Sequence, residues 1–231
     1  MRSHHDPVFT IIGFCVVLAA VAISYFVSSI RRRKRTEALQ SVADDLGLTF
    51  SPQDTEQLVG HTGWCDLFSR GRGKKIFNLM RGSSSGRYVA VFDYQYVTGH
   101  GKSKKTWRTT VALLRSEGPP INRFSLRPKG TWDKISNLFR SADIRFQNRP
   151  QFSRTYLLSG ENEPAIRALF TEPVLDYFEQ HPGLSTEGLL DSLLFYRTGK
   201  QVPPADVSQF LANAFEAQSL FRATLQSNLR S

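Results

Sequence analysis

Residues 88–115 read YVAVFDYQYV TGHGKSKK TWRTTVALLR. β-Branched and aromatic residues crowd the first and third blocks, the composition that fits a pleated sheet. The glycines and lysines between them are hairpin-loop chemistry. Two strands joined by so short a link must run antiparallel. A sheet therefore sits at the centre of the chain, and the pattern extends outward from it. Residues 64–69 and 75–81 read as strands separated by Arg70-Gly71-Arg72-Gly73, residues 82–86 as a turn, and residues 121–127 as a strand after Gly118-Pro119-Pro120. Residues 70–130 together predict an antiparallel meander.

Beyond it the pattern is mixed. Residues 132–139 predict a helix with Thr131 as its cap, and residues 143–146 and 155–158 predict short strands. Residues 163–170 and 174–181 predict helices separated by Pro173 and ended by Pro182-Gly183, and residues 192–197 predict a last strand. A final helix starts near Pro204. Its face of Val207, Phe210, Leu211, Ala214, Phe215, Gln218, Phe221, Leu225 and Leu229 keeps helical spacing and is expected to cover one face of the sheet. Few Lys or Arg lie on its other face, which argues against a membrane-lying helix.

Upstream, residues 8–30 form an uncharged apolar run, followed at once by Arg31-Arg32-Arg33-Lys34-Arg35. At 1.5 Å per residue a helix of that length spans roughly 34 Å, enough to cross a hydrocarbon core of about 30 Å. A cleaved signal peptide has a shorter apolar region and its basic residues in front. Basic residues near a span stay cytoplasmic, so the N-terminus is expected outside and residues 31–231 inside. Residues 36–46 read as helix, with Gly47 at its end, and can continue the membrane helix through the basic run. The expected organisation is an extracytoplasmic N-terminus (1–7), a transmembrane helix (8–30), a basic stop-transfer run (31–35) and a cytosolic α+β domain (36–231). A subdivision of that domain near 130–150 is the alternative. The fold class is α+β: an N-terminal transmembrane helix, a mainly antiparallel sheet domain and a long amphipathic C-terminal helix.

The net charge of +10 is unevenly spread. Residues 36–69 carry six acids and no Lys or Arg, residues 70–154 carry 19 Lys and Arg against four acids, and residues 155–231 carry five against nine. Of the two cysteines, Cys15 lies in the apolar run and Cys65 beyond it, so the domain holds no internal disulfide, in keeping with a reducing compartment.

No arrangement of residues spells out a reaction. Thr98-Gly99-His100-Gly101-Lys102-Ser103 lacks the glycine four residues ahead that a phosphate-binding loop needs, since position 96 is Tyr, and a strand follows where a helix should. His61 and Cys65 are four apart, but zinc needs two further ligands, so Cys65 reads as a buried thiol. Asp93 stands in the most apolar strand and calls for a partner, with Arg108 offered by the next strand. A polar site would join Asp93, Arg108, Arg127 and Tyr156. No catalytic residue, cofactor or metal is indicated.

The apolar span with its basic run, together with Asp66-Leu67-Phe68-Ser69-Arg70-Gly71, Val91-Phe92-Asp93-Tyr94-Gln95-Tyr96, Phe124-Ser125-Leu126-Arg127-Pro128 and Phe152-Ser153-Arg154-Thr155-Tyr156, resembles an uncharacterised group of bacterial single-pass, N-terminally anchored membrane proteins. That resemblance implies a bacterial inner membrane and carries over no functional residues. The expected function is a membrane-anchored interaction domain that docks on anionic lipid headgroups or an acidic partner through Arg31, Arg32, Arg33, Lys34, Arg35, Lys102, Lys104 and Lys105. The alternatives are an enzyme acting on a lipid or envelope precursor and a basic nucleic-acid-binding module, with nucleic acid not favoured.

Overall fold

A computed structural model describes residues 7–54, 58, 63–84, 86–130 and 143–229, with side chains from Phe14 onward except Cys15 and Ser84. The chain opens on helix α1 (Pro7–Asp45) and strand β1 (Thr49–Gln53). A one-turn helix α2 (Asp66–Ser69) leads into β2 (Arg72–Ser84), β3 (Arg87–Thr98), β4 (Lys105–Ser116) and β5 (Ile121–Pro128). Helix α3 (Pro150–Thr155), β6 (Tyr156–Gly160), α4 (Glu163–Leu169) and α5 (Glu172–Gln180) follow, then the hairpin β7 (Ser185–Leu190) and β8 (Ser192–Tyr196), and finally α6 (Val207–Asn228).

All eight strands form one antiparallel sheet in the order β1-β2-β3-β4-β8-β7-β5-β6. The α+β class and the C-terminal helix stand as expected. The meander reaches only to β4, because the β7–β8 hairpin inserts between β4 and β5.

The sheet has two covered faces. On one lie α3 to α6 and the C-terminal half of α1, over a core that includes Leu39, Val91, Ala112, Phe124, Phe178, Phe195 and Phe221. On the other, Leu58, Cys65, Leu67 and Phe68 pack over Phe92, Tyr94, Tyr96, Leu113 and Tyr196. Burial on both faces is why β3, β4 and β8 read as near-continuous apolar runs rather than as alternating ones. It also turns 64–69 from the expected strand into cover: α2 lies across the sheet instead of joining it.

Three further expectations change. Residues 143–146 form no strand; Ile144 donates a single backbone hydrogen bond to Leu158 in place of a ladder. Leu229 is 73% exposed and leaves the buried face of α6, which gains Ala217 and Thr224. Strand β7 and helix α3 were not anticipated. The helix expected over 132–139 lies outside the described residues.

Helix α1 runs without a break through the basic run and ends in a Schellman motif. Gly47 sits at φ +66° and donates to Asp44 O, while Leu48 donates to Ala43 O. The span expected over 8–30 is not shown: among the described residues no helix is long and apolar enough to cross a membrane. Ahead of the basic run the described apolar side chains of α1, among them Phe14, Val16, Val17, Leu18, Val21, Ile23, Tyr25 and Phe26, are exposed, whereas Leu39 and Ala43 beyond it are buried.

Candidate functional site

The site is built where α1 meets the sheet. Arg35 reaches down and grips Asp93 of β3 with both arms, Nε to Oδ2 and Nη2 to Oδ1, each 2.8 Å. Its third arm donates to the Val202 carbonyl at 2.8 Å. Asp93 also accepts from Asn78 Nδ2 at 3.0 Å and Thr110 Oγ1 at 2.9 Å, and Thr36 of α1 donates to Asn78 Oδ1 at 2.8 Å. A bulge in β2 aims Asn78: the β2–β3 register shifts between Phe77 and Met80, and Asn78 takes φ +53°. That is a conformation Asn tolerates better than most residues. Asp93 is 1% exposed and Arg35 17%, so the pair fixes the register of α1 on the sheet.

Asp93 is therefore paired, as expected of a carboxylate in an apolar strand, but with Arg35 and not with Arg108. Arg108 turns aside and donates to Gln95 at 2.9 Å.

Beside this clamp opens a groove of about 1290 Å³ between α1 and the β1–β4 end of the sheet. Its wall on α1 runs from Ser24 to Thr36 and includes Arg31 and Arg32; its wall on the sheet includes Lys74, Lys75, Gln95 and Arg108. Counting Arg35, six cations line the groove against one acid, Asp54. Among the described residues no carboxylate lies within ion-pair distance of Arg31, Arg32, Lys74 or Lys75. The positive charges act on one another: burial first, and the charge of Arg32 second, hold the Arg108 guanidinium below its ordinary value, with Asp93 acting in the opposite direction.

The structure divides the remaining expected contacts. Arg33 points away and pairs with Glu37 across one helical turn at 3.0 Å, and Lys34 is exposed. Lys102 and Lys104 are exposed at the β3–β4 hairpin tip, where a 3-10 turn spans Gly101–Ser103, and Lys105 lays its Nζ 3.7 Å from the Trp107 ring centre. The tip lies toward the N-terminal side of α1. Residues 36 and 48 of α1 and its exit meet Asn78 and Gly82 of β2, so the helix climbs back toward Lys75 and Arg72, which pair with Gln95 and Val97 below the tip.

The four residues of the expected polar site, Asp93, Arg108, Arg127 and Tyr156, do not come together. Tyr156 is buried under α5 and donates to the carbonyls of Phe178 and His181; burial pushes its hydroxyl up to about 12. Arg127 is buried on the opposite face of the sheet, near Asp66.

That face holds a polar cluster which sequence reasoning missed. Glu187 of β7 is 1% exposed and accepts from the backbone amides of Asp66 and Leu67 and from the Tyr196 hydroxyl. Burial, then the neighbouring Asp66 carboxylate, raise it to about 7. Asp66 is raised as well, by burial. Cys65 is 1% exposed and burial pushes its thiol far up, which removes the thiolate a nucleophile needs. His61 lies outside the described residues. Among the described residues no group of His, Cys, Asp or Glu could hold a metal ion.

No protein-family model and no curated protein matches the chain. A solved structure is similar in fold. It is the crystal structure of the mycobacterial trehalose monomycolate transport factor A, with a TM-score of 0.59 and 15% sequence identity, over 84% of this chain and 95% of that one. At that identity the likeness is one of fold alone.

Proposed function

We propose that this chain is a single-pass protein of a bacterial inner membrane, anchored through residues 8–30 with its N-terminus outside, and that residues 31–231 form a cytoplasmic module that docks on anionic headgroups beside its own anchor. The observation that carries this reading is the position of the basic groove. It opens where the sequence of α1 changes from apolar to basic between Ile30 and Arg31. In a membrane-spanning helix that is the level of the headgroups, where each cation near an anionic surface contributes about 1 kcal/mol. The hairpin tip adds the exposed Lys102 and Lys104, while Lys105 lies over Trp107 on the other face of the sheet.

The similar fold supports a lipid-related role, since the mycobacterial protein is a trehalose monomycolate transport factor. The enzyme alternative gains nothing from the geometry, because Asp93, Arg127 and Tyr156 occupy three separate places. The nucleic-acid alternative needs one continuous basic face, whereas Arg70 and Arg127 of the basic block are buried behind the sheet.

The test is trypsin cleavage at the hairpin in the full chain reconstituted into vesicles. Docking predicts protection at Lys102, Lys104 and Lys105 on phosphatidylglycerol vesicles, lost as salt rises past the screening range, and none on phosphatidylcholine. Equal cleavage on both vesicles would remove the headgroup reading.

A further inference from the structure

We infer that the groove between α1 and the sheet is a binding site for one anionic phospholipid, its phosphate held among Arg32, Lys74, Lys75 and Arg108 and its acyl chains leaving along α1 past Val27 and Ser24. This rests on the docking reading above and narrows it from a charged surface to a single seated lipid.

Charge comes first. Arg35 is neutralised by Asp93, so it organises the wall rather than the ligand. The other five lining cations face a single acid, and Arg32 already disfavours the charge on Arg108. Like charges gathered along one groove are stabilised by an anion, and charge-assisted hydrogen bonds to phosphate oxygens are the strong ones. Size comes second. At about 1290 Å³ the groove exceeds the range of roughly 300–1,000 Å³ that holds an ordinary small ligand, so a phosphate alone would leave most of it unfilled.

Position comes third, and it selects a lipid over a free anion. The wall on α1 rises from Thr36 to Ser24, about 18 Å along the helix axis. Its lower part carries Arg31, Arg32 and Arg35 and its upper part Val27, Ser28 and Ser24, on the helix whose exposed apolar side chains continue upward. The wall passes from charged to uncharged, and the exposed apolar side chains farther up α1 continue it, so a matching ligand is charged at its lower end and carries its apolar part upward along the helix. The side-chain amides of Gln53, Gln95 and Gln201 on the lining suit hydroxyls of a polyol headgroup.

The experiment is native mass spectrometry of the full chain in neutral detergent, titrated with phosphatidylglycerol, phosphatidylcholine or inorganic phosphate. One phosphatidylglycerol should be retained, phosphatidylcholine should not, and inorganic phosphate should not displace the lipid. K74Q, K75Q and R108Q should each weaken retention roughly tenfold. R108K, which keeps the charge, should retain lipid and so separate charge loss from misfolding, and R167Q on α4 at the far end of the sheet should bind as the parent does. Undiminished retention in K74Q/K75Q and R108Q, equal retention of phosphatidylcholine, or displacement by inorganic phosphate would overturn the seated lipid. If hairpin protection on phosphatidylglycerol vesicles persists in that case, only the single-lipid site falls. If the parent chain shows no protection, the docking reading falls with it.

Discussion

Replacing Arg35 by Gln removes one partner of a buried ion pair and leaves the other in place. Asp93 stays 1% exposed with no cation, holding only its bonds from Asn78 and Thr110. Breaking such a pair costs about 3–5 kcal/mol. The two surviving hydrogen bonds place R35Q near the lower figure, and Arg35 is sheltered enough that solvent screening takes little from it. For a domain of this size each kcal/mol shifts the midpoint by about 2–4 °C, so R35Q should melt about 6–12 °C lower. The assay is thermal unfolding of the full chain in detergent, followed by tryptophan fluorescence. R33Q is the internal control: its pair with Glu37 is 84% and 61% exposed and should contribute within about 1 kcal/mol. R35Q/D93N, which removes both charges, should recover most of the loss. A chain cut to begin at residue 36 lacks the same cation and should behave like R35Q. If R35Q and R33Q melt together, the clamp does not fix α1 on the sheet.

Three further outcomes follow from the packing and the buried charges. Glutamate at 187 titrates near 4.5 when unfolded and at about 7 when folded, so its stability contribution is present below the lower value and is lost as pH rises through the upper one. Chemical denaturation at pH 5 and pH 8 should show a penalty at pH 8 on the order of 3 kcal/mol from this group, absent in E187Q; an unchanged pH slope in E187Q would refute the assignment. Phe221 is fully buried, with its ring centre 5.4 Å from Phe124 and 5.5 Å from Phe170, so F221A should lose about 3–5 kcal/mol in the same denaturation experiment. Cys65 should stay unlabelled by maleimide in the native protein and react only with unfolding, whereas fast native labelling would mean that the Cys65–Phe68 cover is open.

Legibility in the sequence tracked how local each cause was. Strands β3 and β4 and the Gly47 stop of α1 were readable because β-branched crowding and a left-handed glycine act within a few residues. Strand β7 was not. Its Ser185, Thr186 and Glu187 look like loop chemistry yet are buried, and the α2 amides that help to satisfy Glu187 lie about 120 residues away in the sequence. Residues 64–69 have the composition of a strand, and no local signal says that another layer covers this face of the sheet. At the site, the need of Asp93 for a cation was legible and the identity of that cation was not. Strand pairing does place Arg108 near, opposite Gln95, but Arg35 arrives from 58 residues away along a helix whose register no local pattern encodes. The basic run was readable as a block; that Arg35 turns into the fold, Arg31 and Arg32 line the groove and Arg33 points away depends on that same register. Lys74 and Lys75 drew no notice because they gain meaning only opposite α1.

In the proposed arrangement α1 holds the domain against the membrane, with the β3–β4 hairpin at the headgroup level. The most direct measurement is depth-dependent quenching of Trp107, kept as the sole tryptophan by W64F and W132F, in the full chain reconstituted into phosphatidylglycerol vesicles carrying brominated lipids. Docking predicts quenching by lipids brominated near the headgroup, shielding from aqueous iodide, and loss of both at high salt. Trp107 quenched by iodide as freely as in detergent, with no response to brominated lipid, would contradict it.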